Sequence, residues 1–268
     1  MTLGLKIAVL TLACALLAAL LPDVPQPQSY HDFVDARTLL GVANFWNVIS
    51  NLPFLIVGIA GLVALLPAAA TRACFRDPRE RWPYLAFFAA LALTALGSGY
   101  YHLAPDDARL VWDRLPIALA CAALGVALIG DHEHPQAARL ARMALVPGLL
   151  VAAASVWYWQ MSEQAGQGNL LPYLAVQLWA VAVVLMLLLT EPARYSYRND
   201  LWLVLLFWLA ARGAEFLDAA LYAGGAFLSG HTLKHLIAAL AAAWLLRMIR
   251  RRRPLSSSVT AATAARIT

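Results

Sequence analysis

Histidine is scarce in this chain, with six in 268 residues, and two of the six stand four apart in the run His231-Thr-Leu-Lys-His235. On an α-helix that spacing puts both imidazoles on one face, one turn apart. Two such nitrogens can reach a single metal ion at about 2.0–2.1 Å. A third histidine, His102, closes the run Ser98-Gly-Tyr-Tyr-His102, with Ser98 again four residues away and on the same face. Eleven residues further on, Asp113 opens another apolar stretch. Three histidine ligands with an open fourth position mark a catalytic zinc site rather than a structural one. In such a site the Ser98 hydroxyl could donate to a developing oxyanion or hold a metal-bound water. Each signal also has a plain reading when taken alone. The histidine pair could be the polar start of an amphipathic helix. Asp113 could pair with Arg109, one turn earlier, and Ser98 could be a small packing residue. Whether these side chains meet depends on the elements that carry them.

Those elements are membrane helices. The chain is 62% hydrophobic and only 13% charged, with a mean hydropathy of +0.68. A soluble domain carries about 45–50% apolar and about 25% charged residues. This composition excludes an ordinary soluble enzyme, a disordered chain and a nucleic-acid binder. Cys14, Cys74 and Cys121 lie in unrelated contexts and suggest no disulfide framework. A crossing helix needs about 20 mostly apolar residues. Eight candidates follow, at 3–22, 43–67, 83–103, 110–130, 139–159, 170–190, 200–222 and 229–249. The fold expected is an all-α integral membrane bundle of seven helices with one extra hydrophobic helix at the N-terminus. Residues 1–22 form that extra helix or a signal anchor, and 23–42 an extracytoplasmic segment. The seven-helix core is expected over 43–250, and a disordered cytoplasmic tail over 251–268. An uncleaved first helix fits better than a signal peptide, because no clear small-residue cleavage site precedes Pro22.

The net charge of +5 is explained by where the arginines sit. Arg72, Arg76, Arg79 and Arg81 share one loop, Arg139 and Arg142 another, Arg194 and Arg198 a third, and Arg247 with Arg250–Arg253 end the last helix. These segments fall on alternate sides of the chain, so all four can be cytoplasmic. The core then begins outside and ends inside, and His102, Asp113, His231 and His235 reach the outer level together. Short loops and the lack of organelle signals point to a bacterial inner membrane.

Ionisable residues within spans are costly and usually face the bundle interior. Lys234 is expected to pair with Asp218 or Glu215 and lock the last two helices; alternatively it meets a lipid headgroup, with Glu215 or Asp218 orienting a metal ligand. Asn47, Ser50 and Asn51 share one turn and suit interhelical hydrogen bonds. Asp131-His132-Glu133-His134 reads as a polar turn on the side away from the histidines.

The pattern resembles the alkaline ceramidases, within a wider seven-helix superfamily that includes the adiponectin/progestin receptors. The matching residues are Ser98 and His102, Asp113, and His231 and His235, together with the stretch Asn44-Phe-Trp-Asn47-Val-Ile-Ser50-Asn51. The resemblance implies zinc held by His102, His231 and His235, with Ser98 and Asp113 completing a catalytic set. It also implies amide hydrolysis of an N-acylated, ceramide-like lipid drawn from the bilayer, with no nucleic acid or obligate protein partner. The ceramidase calcium site has only a partial counterpart in Asp32, Asp35 and Asn44. Asn44 replaces a carboxylate and Arg37 stands nearby, which weighs against calcium, a cation that prefers 6–8 oxygens. Arg37 is expected to neutralise Asp32 or Asp35 instead. The main alternatives are a zinc-bearing receptor or sensor without turnover and a hydrolase of a different lipid. Haem ligation and transport are weaker rivals.

Overall fold

A computed structural model describes residues 2–134 and 136–255. The described elements are all helical: α1 (Leu3–Leu20), α2 (Phe45–Ile49), α3 (Leu52–Leu65), α4 (Ala68–Thr71), α5 (Arg81–Leu103), α6 (Asp107–Gly130), α7 (Ala137–Gln164), α8 (Leu171–Thr190), α9 (Asp200–Phe216), α10 (Asp218–Ala223) and α11 (Gly230–Arg251). Among the described residues, seven helical stretches are long and apolar enough to cross a membrane, one of them formed by α2 and α3 together. The predicted disordered tail falls mostly on residues 256–268, outside the described residues.

Local chemistry sets the helix starts. Asp106 accepts from the Arg109 N–H at 2.7 Å and so caps α6. The Ser229 hydroxyl accepts from the Thr232 N–H at 3.2 Å at the head of α11. Proline occupies the first turn of α3 and of α8, where its missing N–H costs nothing. Helix α6 is the most buried span, and α1, with only Leu3 and Cys14 buried, lies at the edge against α8.

The expected span at 200–222 is not continuous. It breaks at Leu217 into α9, of 17 residues, and the six-residue α10. At 1.5 Å per residue α9 is about 25 Å long, short of the ~30 Å hydrocarbon core. The break serves α11. Oδ1 of Asp218 turns to accept from the His231 N–H at 2.8 Å. Gly230 lets the two backbones touch, since a Cβ there would lie 2.0 Å from the Ala214 carbonyl oxygen.

Side-chain contacts sort the loops into two ends. At one end Arg194 meets Glu80, Arg252 meets Asp131, and Lys6 meets Glu191. At the other, residues 21–44 form a strap across the bundle. Val24 O accepts from Leu170 N–H at 2.8 Å, Gln26 N–H donates to Glu163 at 2.6 Å, and His31 bridges Tyr101 and Asp107 at 2.9 and 3.0 Å.

Candidate metal centre

The strapped end holds the three histidines. His102 ends α5, while His231 and His235 occupy the first two turns of α11. All three are buried, and each offers a ligand nitrogen within 4.8 Å of the others. Their ring centroids form a nearly equilateral triangle with sides of 4.9, 5.0 and 4.9 Å. His102 Nδ1 is buried without a hydrogen-bond partner among the described residues. Buried polar atoms are seldom left unpaired. An unpaired imidazole nitrogen beside two more imidazoles fits a metal ion.

Neighbours fix the rings. The Ser50 hydroxyl lies 2.8 Å from His235 Nδ1, which leaves Nε2 as the ligand atom. Ser50 also donates to the Asn47 carbonyl at 3.2 Å, and Asn47 Oδ1 accepts from the Thr232 hydroxyl at 2.9 Å. Ser50 and Asn47 therefore make the interhelical bonds expected of them. Asn51 does not: its amide donates to the Asn47 carbonyl at 2.7 Å, within its own turn.

The Ser98 hydroxyl lies beside the Asp113 carboxyl, and both residues are buried. The plain reading of Asp113 as a partner of Arg109 does not hold, since Arg109 sits 3.7 Å from Asp106. The backbones of α5 and α6 touch beside this pair, where a Cβ on Gly97 would lie 1.9 Å from the Trp112 carbonyl oxygen. Pro116, four residues on, has no N–H to offer that carbonyl.

Lys234 selects Glu215, with Nζ 2.8 Å from Oε1. Asp218, the other predicted partner, caps α11 instead. Lys234 Nζ also lies 3.1 Å from His231 Nε2.

The partial calcium set is put to other use. Arg37 spans both oxygens of Asp35, at 2.7 and 2.6 Å, and donates to the Phe227 carbonyl at 2.7 Å. Its guanidinium holds the Asp35 carboxyl below the usual carboxylate range. Asn44 turns its amide to the His102 carbonyl at 2.9 Å, from a left-handed backbone at φ 47°. Asp32 is exposed. The side chains of Asp35 and Asn44 already have partners, so they do not form a ready oxygen cage. The Asp131–His134 turn lies at the far end, where His132 pairs with Glu191 at 2.6 Å.

Phe33 was not anticipated. Its ring lies 4.7 Å from that of His102 and 4.8 Å from that of His231, as a lid on the triangle. Nothing periodic in the strap sequence marks it, because its role comes from contacts with residues far along the chain.

Among curated proteins no match is found. The family model described as Ceramidase matches residues 38–257, which take in the histidine triangle, Ser98 and Asp113. That match covers most of the sequence and agrees with an all-helical bundle carrying a potential metal site, and the chain belongs to the ceramidase family.

Proposed function

We propose that the protein is a membrane-embedded, zinc-dependent amidohydrolase that cleaves an N-acylated, ceramide-like lipid into a fatty acid and a long-chain amine. The observation that carries the reading is the buried triangle of His102, His231 and His235, with Ser98 on the same helix as His102 and Asp113 on the neighbouring α6. Zinc held there would supply a Lewis acid for the amide carbonyl and a water able to lose a proton near neutral pH.

The chain's own residues do the rest. Asp113 takes the proton from the attacking water and delivers it to the leaving nitrogen. Ser98, buried beside Asp113, offers its hydroxyl to the developing oxyanion or to the carboxyl of Asp113. Ser50 keeps the His235 ring turned so that Nε2 faces the metal. Phe33 and the strap exclude bulk water, so the acyl chains reach the site from the bilayer side. The alternating arginines favour a cytoplasmic C-terminus and a histidine end near the outer face.

The test combines metal analysis of purified protein with a product screen over N-acyl lipids and ester analogues. About one zinc per chain and release of fatty acid from an N-acyl lipid are expected. Asp113→Asn should keep the zinc and lose about 10²–10⁴-fold in kcat. A zinc-free active enzyme, or full activity in Asp113→Asn, would refute the assignment.

A further inference from the structure

The geometry points to Lys234 as a further catalytic residue, the hydrogen-bond donor to the oxygen of the scissile carbonyl. This rests on the amidohydrolase reading above. Lys234 Nζ stands 2.8 Å from Glu215 Oε1 and 3.1 Å from His231 Nε2. An ammonium group has three protons to donate and no lone pair. His231 Nε2 must therefore be the accepting nitrogen, which puts the ring proton on Nδ1. The atom that Lys234 touches is then the only one through which a neutral His231 can bind a metal. A metal on the triangle takes that lone pair, and Lys234 loses an acceptor while staying within reach of the ligand atom. Its freed N–H is then available to a carbonyl oxygen that reaches the metal-binding triangle.

Two further observations favour a chemical role over a purely structural one. Glu215 already has a cation on its own helix, since Arg212 Nη2 lies 2.5 Å from Oε2. The cluster of Arg212, Glu215 and Lys234 thus carries a net positive charge next to a metal site, a cost in metal affinity that a structural lock does not require. Moreover, the oxyanion role first expected of Ser98 calls for a donor beside a metal ligand, and the contact of Lys234 Nζ with His231 Nε2 at 3.1 Å supplies one. Lys234 can fill it.

The step balances as follows. The water oxygen bonds to the carbonyl carbon, one water proton passes to Asp113, and the carbonyl π pair moves onto oxygen, where the Lys234 N–H holds it. As that pair returns, the C–N bond breaks and Asp113 gives its proton to nitrogen, leaving a fatty acid and an amine. A donor that tightens as negative charge develops acts on the transition state more than on the ground state.

Three variants of the full-length protein in detergent test this: K234M, K234R and E215Q. K234M should bind zinc about tenfold or more tightly, because a competing cation is gone, and yet lose about 10²–10³-fold in kcat with little change in KM. K234R, which keeps a donor, should recover much of that loss. E215Q should lower kcat far less than K234M. A structural lock predicts instead that K234M and E215Q fall together in melting temperature and in activity. Unchanged zinc affinity in K234M overturns the placement even if no lipid is cleaved. An active wild type with an equally active K234M overturns the role and leaves the amidohydrolase reading standing. Should K234M fail to fold, K234A, which also lacks a donor, carries the same expectations.

Discussion

The two ends of the bundle bury polar groups in opposite ways. At the basic end the buried Arg194 and Arg252 are each bound to a carboxylate, although single atoms such as Arg194 Nε have no partner among the described residues. Arg194 donates to Glu80 at 2.7 Å and to the Gly130 carbonyl at 2.7 Å, and the Tyr195 hydroxyl donates to the other Glu80 oxygen at 2.5 Å. Arg252 is bound to Asp131 and packed over Phe75, Tyr84 and Tyr195. At the histidine end three imidazoles face one another, and among the described residues no carboxylate is bonded to any of their rings and one nitrogen is left unpaired. A buried charge that is matched within the chain holds helices together. Several donor atoms of one kind, aimed at a shared space, ask for something from outside. Burial alone does not separate the two cases, since both sets are almost wholly enclosed.

The largest effect expected from this contrast is on His231. His231→Ala should abolish zinc binding and bring turnover to background while the chain still folds, because the removed side chain anchors no helix pair. Zinc content and activity measured on folded protein check it; retained zinc would dissolve the contrast. Glu80→Gln should do the reverse. It leaves the Arg194 guanidinium without its carboxylate and should cost about 3–5 kcal/mol of stability, with zinc content and kcat per folded molecule unchanged. Thermal denaturation alongside zinc analysis reads both quantities.

Gly97→Ala sharpens the comparison, because it touches the site only through helix packing. The added methyl, 1.9 Å from the Trp112 carbonyl oxygen, must push α5 and α6 apart at a cost of about 1–3 kcal/mol. It also shifts Ser98 relative to Asp113, so kcat should fall by up to about 10²-fold with zinc retained. Equal activity in Gly97→Ala would show that the spacing of the two helices is not critical.

The smallest effect concerns the strap. Because Arg37 lowers the native Asp35 pKa, the pair stabilises the fold above the unfolded carboxylate value of about 3.9. That stabilisation fades as pH falls through the lower native value. Wild type should melt above Arg37→Gln at pH 7, and the gap should close in acid. A gap that does not narrow at all as the pH is lowered from neutrality into acid would assign the stabilisation to the Phe227 contact instead.

The histidine set was legible because ionisable residues stand out in apolar spans, and because i, i+4 spacing and the alternation of arginines convert position into depth. Ser98, His102, Asp113, His231 and His235 are local signals of that kind. What stayed hidden depends on partners far away in sequence. Leu217 carries no helix breaker; the chain turns there because Asp218 finds the His231 N–H and Gly230 admits the neighbouring backbone. Phe33 becomes a lid only because the strap is pinned at Leu170, Glu163 and Asp107. Lys234 had two candidate acids within reach, and only the finished packing chooses Glu215.

The triangle also constrains biosynthesis. His102 leaves the ribosome more than a hundred residues before His231 and His235, and every helix between them must be inserted before the three can meet. No partial chain holds the full donor set, so tight metal capture at this site would come at the end of assembly. A protein truncated before α11 would have two of the three donors missing. Metal retention at the triangle would therefore report that the last helix has docked.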